Sequence, residues 1–285
     1  MAITINTNTA ALSAQRYLAE TTSRLGHTFE RLSSGLRIVR ASDDAAGLAI
    51  ADSLRADSKI AGQAIRNASD GISLVSIADG ALNEIGNILT RMAELAEQAA
   101  NGTLSTSQRS ALQSEFVSLG SEIERITVTT EFNDLSLING GSDITLQVGL
   151  DSSSNSQITI NAVDSSVLGL GIGNGTGALV FSLNDTTDVG AQAAAQAALD
   201  AVTDAVSTLT AARGVVGAAE SRLNVAVSNL QIQRENFINA ESQIRDVDVA
   251  SEAAELTRLT ILQQAGAAVL AQANEQPALA LQLLS

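Results

Sequence analysis

The stretch Ala201–Arg245, AVTDAVSTLTAARGVVGAAESRLNVAVSNLQIQRENFINAESQIR, keeps a heptad repeat from end to end. Val202, Leu209, Val216, Leu223, Leu230, Phe237 and Ile244 hold one heptad position. Ala205, Ala212, Ala219, Ala226, Gln233 and Ala240 follow the first six on the same face. A large residue alternating with a small one makes a seam on which a second helix packs closely. Gln233 is the one polar member. The stretch therefore predicts a long helix with helical partners, and the search for those partners organises the rest of the chain.

Upstream, Leu18, Leu25, Phe29, Leu32, Leu36 and Val39 recur at helical spacing, then give way to a Ser-, Gly- and Asp-rich gap between Ser33 and Gly47. From Ala46 to Ala100, Ala61, Ile65, Ala68, Ile72 and Val75 form one apolar stripe. Leu82, Ile85, Leu89, Met92, Ala96 and Ala99 form another. A helix of that length spans roughly 80 Å. Asn101-Gly102 reads as a turn, and Leu112, Phe116, Leu119, Ile123 and Ile126 predict an antiparallel return helix.

The middle changes period. Ile144, Leu146 and Val148 alternate with polar residues, as do Ile158, Ile160 and Ala162, with DSSSNS between them. This predicts a β-hairpin with a six- or seven-residue loop. The LGLGIGNGTG run that follows reads as a flexible connection. Leu256, Leu259, Leu262, Val269 and Leu270 predict a last amphipathic helix, with Pro277 near its end.

The expected fold class is mainly α: long antiparallel helices in a coiled-coil-like rod, a small β-hairpin, and paired N- and C-terminal helices. The expected domains are a terminal region, 1–45 with 250–285, and a rod, 46–249. The rod carries the hairpin at about 143–163 and a short variable connection at about 171–190. Two terminal helices with apolar faces and little chain around them need partners to cover those faces.

Composition narrows the function classes. The chain has five Phe, one Tyr and no Trp among 285 residues, so its apolar material is aliphatic and Ala-rich, suited to close helix packing rather than an aromatic-lined pocket. A formal net charge of −15 with a single Lys argues against nucleic acid as a partner. The absence of cysteine removes disulfides, thiolate metal sites and Cys nucleophiles together. No apolar run reaches the length of a membrane span. The opening MAITINTNTAALSAQRYL carries no readable secretory signal, which taken alone predicts a cytoplasmic protein.

Sites of chemistry are few. His27, the only histidine, has only Glu30 at helical spacing and reads as solvated or interfacial. Gly173-x-Gly175-x-x-Ala178 touches the dinucleotide fingerprint, but no helix opens after it and no βαβ unit surrounds it, so no cofactor is expected. The Asn-Gly-Thr triplets at Asn101 and Asn174 match glycosylation sequons, which mean little without a secretory signal. Asp43 and Asp44, downstream of Arg37 and Arg40, suit a cation or a catalytic dyad, but Ala and Gly neighbours favour a tight loop capping the next helix. With no active site in view, unsatisfied ends on a helical subunit point to self-assembly, since contacts that do not close into a ring make filaments.

Several stretches resemble bacterial flagellin. They are INTNTAAL (Ile5–Leu12), ERLSSGLRI (Glu30–Ile38), DDAAGLAIA (Asp43–Ala51), NASDGISLVSIADGALNEI (Asn67–Ile85), SRLNVAVSNL (Ser221–Leu230), NFINAESQIRDVDVASE (Asn236–Glu252) and ILQQAGAAVLAQANEQPALALQLL (Ile261–Leu284). The resemblance covers about 1–170 and 190–285. It implies a short form without outer variable domains, whose termini pair as a coiled coil in the filament's inner tube. It also implies export as an unfolded chain by the flagellar type III system to an extracellular filament, which replaces the cytoplasmic reading. The partners so implied are other copies of the chain, an export chaperone, and filament cap and junction proteins.

On the same resemblance Arg37, Arg40, Asp43 and Asp44 form the tube–rod connector, with the aspartates held near arginines of the same or a neighbouring subunit, Arg37 or Arg40. Arg91, Leu95 and Glu115 match positions read by the vertebrate Toll-like flagellin receptor, with recognition weakened by Ala93 and Glu97. Leu281, Leu283 and Leu284 match leucines read by the cytosolic flagellin sensor. Two other readings stand beside the filament subunit: a hook–filament junction protein with similar termini, and an enzyme using Asp43 and Asp44.

Overall fold

The computed structural model describes residues 7–282, with side-chain surroundings through Glu275. Five α-helices account for most of it: α1 Thr9–Ser34, α2 Ala45–Ala100, α3 Thr106–Thr129, α4 Asp188–Arg245 and α5 Val249–Gln282. The contacts divide the chain into two compact units, Met1–Ser58 with Glu235–Ser285, and Lys59–Arg234. Both helix breaks from which the terminal region 1–45 with 250–285 was drawn fall inside the first of them.

In the Lys59–Arg234 unit the heptad seam does what its spacing requires. Val202, Ala205, Leu209, Val216, Ala219, Leu223 and Leu230 of α4 are buried. All of these but Leu230 share one core with Leu82, Ile85, Leu89, Met92 and Ala96 of α2 and with Phe116 and Ile123 of α3. Small residues opposite large ones let the backbones close up, which is how an almost aromatic-free chain reaches a dense interior. At the start of α3 the Gln108 side chain accepts the Ser105 N–H at 2.9 Å, one arm of a capping box.

Two strands, β3 Ile144–Gln147 and β4 Gln157–Ile160, pair antiparallel with Ile144 opposite Ile160 and Leu146 opposite Ile158. The hairpin loop is longer than expected. The ladder stops at Gln147, and the connection includes a 3₁₀ turn at Ser154–Ser156. Asp151 causes this: its carboxylate accepts the Ser153 N–H and the hydroxyls of Ser153 and Ser156, folding the chain over early. The hairpin lies on α2 at Gly71, where any Cβ would collide with the Leu146 side chain. Asn67 Nδ2 adds a hydrogen bond to the Gln147 carbonyl at 3.0 Å.

A second, smaller hairpin was not foreseen. β1 Glu131–Phe132 pairs with β2 Leu135–Ser136 across Asn133 and Asp134, both at positive φ (51° and 62°). Asn and Asp tolerate that region, so a two-residue turn closes there.

The glycine-rich segment is not a flexible connection. Leu170, Ile172 and Leu183 are buried. Gly173 bridges to Leu179, and Leu179 fills the space over Gly120 of α3. Gln113 Oε1 accepts the Leu183 N–H and Glu124 Oε2 the Val167 N–H, at 2.5 and 3.3 Å. The signal was apolar alternation at 168, 170, 172 and again at 179, 181, 183, which the glycine count masked.

Candidate functional site

Two helix breaks meet in the Met1–Ser58/Glu235–Ser285 unit. Helix α1 ends on Gly35 in the left-handed region (φ 71°), whose N–H returns to the Arg31 carbonyl at 2.8 Å. The next residues pair with the break between α4 and α5. Leu36 bridges antiparallel to Asp246, Arg37 N donates to Arg245 O at 2.6 Å, and Val247 N donates to Gly35 O at 3.0 Å. The Arg37 guanidinium reaches the last turn of α4 and donates to the Ile244 carbonyl, where the helix dipole favours a cation.

The two aspartates act through the backbone. Asp44 caps α2: its Oδ1 accepts the Gly47 N–H at 2.9 Å and its carbonyl the Leu48 N–H at 3.0 Å. Gly47 is required beside it, because a Cβ would strike the Asp44 carboxylate and Ile38. Asp43 Oδ2 accepts the Val39 and Arg40 N–H groups at 3.1 and 3.0 Å, closing the loop that buries Ile38. Within one subunit neither carboxylate pairs with Arg37 or Arg40. Arg40 turns instead to Glu30 of α1 at 2.8 Å. A short turn brings amides closer to a carboxylate than a long arginine side chain can fold back to be. At α5, Asp248 repeats the capping pattern on the Ala250 and Ser251 amides.

The amides of Arg40 and Val39 hold the Asp43 carboxyl below the ordinary aspartate range, with smaller help from Arg31 and His27. A depressed carboxyl contributes stability above its unfolded pKa and loses it as the pH falls through the folded value. The Val39 and Arg40 amides should therefore lose hydrogen-exchange protection only at pH below the ordinary aspartate range. Asp43→Asn should flatten that dependence, and an unchanged acid profile in the variant would contradict the assignment.

Helices α1 and α5 pack against each other. Thr28, Leu259 and Ala273 are buried along their contact. Asn8 caps α1 through the Ala11 N–H and donates from Nδ2 to the Ala273 carbonyl at 2.7 Å. Arg24 meets Glu255 at 3.7 Å and Arg31 meets Glu252 at 4.0 Å, the order expected of antiparallel helices. These residues, with His27, Asp43 and Arg258, line an open concavity of about 760 Å³. Its acidic and basic groups face each other, and among the described residues no three metal-ligating side chains converge on one point.

This pair leaves several large apolar side chains outside. Leu12, Tyr17 and Phe29 of α1 and Ile261, Leu262 and Val269 of α5 are exposed, Leu12 and Ile261 at 60% each. Phe29, Leu262 and Val269 belong to the apolar patterns of the sequence, yet they are exposed. Leu18, Leu25, Leu32, Leu36, Val39, Leu256 and Leu270 are half-buried, as are Phe237 and Ile244 at the end of the α4 heptads.

Of the positions expected to match receptor contacts, Arg91 of α2 and Glu115 of α3 form a surface ion pair at 2.9 Å, with Glu94 also 2.9 Å from Arg91. Leu95 does not join them. It is fully buried in the three-helix core, so the three positions do not present one surface. Leu281 falls in the last turn of α5, and its side chain, with all of Leu283 and Leu284, lies outside the described residues.

One group the sequence reading missed is Arg109, 1% exposed at the first turn of α3. Its guanidinium donates to Ala99 O at 2.8 Å and Asn101 O at 3.0 Å, the orphan carbonyls ending α2. It also lies 3.5 Å from Asp188 at the start of α4. The signal was its position on the 112-116-119-123 stripe, one turn earlier.

Two family models match, the bacterial flagellin N-terminal helical region over residues 5–143 and the bacterial flagellin C-terminal helical region over residues 199–284. The chain belongs to the bacterial flagellin family. It is 43% identical to a flagellin of Halalkalibacterium halodurans, over 98% of this chain and 99% of that one. It is 38% identical to a flagellin of Bacillus subtilis, over 98% and 99%. With flagellin D of Vibrio cholerae it shares 34% identity over all of both chains. That alignment runs over 376 positions, so the longer flagellin carries sequence without counterpart in these 285 residues. A solved structure of a flagellar hook-associated protein from Vibrio parahaemolyticus superposes with a TM-score of 0.58, over 72% of this chain and 100% of that one. At 17% identity this is a likeness of fold alone. As a flagellin, the chain is a structural protein that polymerises into the flagellar filament. The flagellin relatives spanning its whole length favour filament over hook junction. No helix among the described residues is long and apolar enough to cross a membrane.

Proposed function

We propose that this flagellin assembles through the exposed face of the α1–α5 pair, which becomes the filament's inner tube, while residues 59–234 supply the rod. The observation that carries this is the set of exposed apolar side chains on α1 and α5, Leu12, Tyr17, Phe29, Ile261, Leu262 and Val269 among them. Fully burying each contributes about 1.5–3 kcal/mol. Together they reach the order of 10 kcal/mol, comparable to the 4–15 kcal/mol that association costs in lost freedom. Polymerisation is then favourable only when neighbours cover these faces together, which suits a polymer that grows at an end.

Export as an unfolded chain, placement outside the cell, and engagement of an export chaperone, a filament cap and junction proteins follow from the same family reading. Recognition by a Toll-like flagellin receptor would rest on the Arg91–Glu115 pair, with Leu95 contributing to the helices beneath it.

The test is Ile261→Asp, alone and with Leu12→Asp, followed by sedimentation and electron microscopy under polymerising conditions. The expected result is loss of filaments with an unchanged melting profile for residues 59–234. Filaments formed at the unsubstituted rate would overturn the proposal.

A further inference from the structure

The chain contains three Asn-Gly steps, at Asn101, Asn139 and Asn174, and the fold treats them differently. Asn139 bridges to Asp164, and the Gly140 N–H donates to Val163 O at 3.0 Å, so that nitrogen is engaged. At Asn101 the Gly102 N–H has no partner among the described residues. There the Asn101 Oδ1 accepts two hydrogen bonds, from Thr103 N and Thr103 Oγ1, both at 3.1 Å, and the Asn101 carbonyl is pinned by the buried Arg109 guanidinium at 3.0 Å and by Leu104 N at 3.3 Å.

Asn174 shares the Asn101 turn, with its carbonyl held by Gly177 N at 3.0 Å, but no buried arginine holds it and its side-chain oxygen has a third donor. It sits exposed at the tip of the docked glycine-rich segment. Its side-chain Oδ1 accepts three hydrogen bonds, from Thr176 N (3.1 Å), Thr176 Oγ1 (2.6 Å) and Ala178 N (3.1 Å). The Gly175 N–H is free among the described residues, and a Cβ at Gly175 would meet nothing within 4 Å.

We propose that Asn174 is a self-modifying site, where the fold promotes cyclisation onto Gly175 and conversion of the amide to aspartate and isoaspartate. Hydroxide takes the Gly175 amide proton, and the nitrogen bonds to Asn174 Cγ while the carbonyl pair moves onto Oδ1. The three donors converge on that oxygen, where negative charge develops, and they are in place before the reaction begins. The oxyanion collapses, the Cγ–Nδ2 bond breaks, and ammonia leaves with a proton from water. Water then opens the succinimide ring at either carbonyl. Opening at one gives aspartate, and at the other isoaspartate, with the main chain lengthened by one methylene. Solvent supplies the only co-reactants.

The product changes the segment's seat. Isoaspartate moves the Asn174 N–H off Ala178 O, a 2.8 Å bond that keeps Gly173 opposite Leu179. Leu179 is the side chain that fills the notch over Gly120. Either product adds one negative charge to a chain already at −15.

The experiment incubates full-length protein in mildly alkaline buffer, folded and in urea, and follows each Asn-Gly peptide by mass mapping and enzymatic isoaspartate labelling. Conversion at Asn174 should run about tenfold faster folded than unfolded, below the hundredfold or more that one such donor is worth in an enzyme. It should outpace Asn101, and Asn139 should be slowest. Thr176→Val, which removes the 2.6 Å donor and keeps the backbone, should slow position 174 several-fold in the folded chain only. Equal or slower conversion in the folded chain, or no effect of Thr176→Val, would overturn the proposal.

Discussion

Arg109→Met should lower the melting temperature of the Lys59–Arg234 unit by about 4–8 °C. The substitution fills most of the volume but leaves the buried Ala99 carbonyl without its donor, while the exposed Asn101 carbonyl keeps the Leu104 N–H. An unsatisfied buried acceptor costs about 1–3 kcal/mol, so the loss is about 2 kcal/mol, and a unit of this size shifts by about 2–4 °C per kcal/mol. The ion pair with Asp188 adds little, because that carboxylate is 70% exposed and solvent screens it. Arg109→Lys should fall between, since an ammonium cannot span both carbonyls with the geometry of a guanidinium. Thermal unfolding of the three proteins measures this. A Met variant within 1 °C of the parent would show that water satisfies the Ala99 carbonyl.

Leu223→Ala and Val225→Ala, two residues apart on α4, should differ sharply. Leu223 is fully buried in the seam, and its truncation should cost about 2–5 kcal/mol through lost burial and the cavity left behind. Val225 is 59% exposed, and its truncation should stay within about 0.5 kcal/mol. Denaturant midpoints with unchanged m-values would read out the contrast. Similar costs for both would mean the heptad register, and with it the packing of α4, is wrong.

The helices were legible because their signal is redundant: one misread residue in Val202–Leu230 leaves the seam intact. The hairpin was legible in its strands but not in its loop, where a single carboxylate, Asp151, decides where the ladder stops. Local chemistry of that kind has no periodicity to reveal it. The same reason hid the connector. The sequence shows two aspartates near two arginines, but only coordinates show that Asp43 spends its lone pairs on amides while Arg40 pairs with Glu30. Arg109 was missed because a charge on an apolar stripe reads as an error in the stripe. Its partners are carbonyls, which every residue carries.

The pairing of Leu36 with Asp246 sets an order of events in time. The α1–α5 contacts join residues as far apart as Asn8 and Ala273, 265 positions, whereas the α2–α4 packing spans about half of that, 134 positions between Asp79 and Arg213, and the hairpins and the α2–α3 pair close over tens of residues. Loop-closure entropy grows only logarithmically, so the long separation costs little in final stability but delays formation. The terminal pair is therefore expected to form last, after the Lys59–Arg234 unit has folded. A chain interrupted between Ala45 and Arg245 contains α1 and the first connector but no partner for either. Incomplete molecules thus lack the ordered α1–α5 pair whatever the state of their middle, and the late pairing serves as a test of chain completeness.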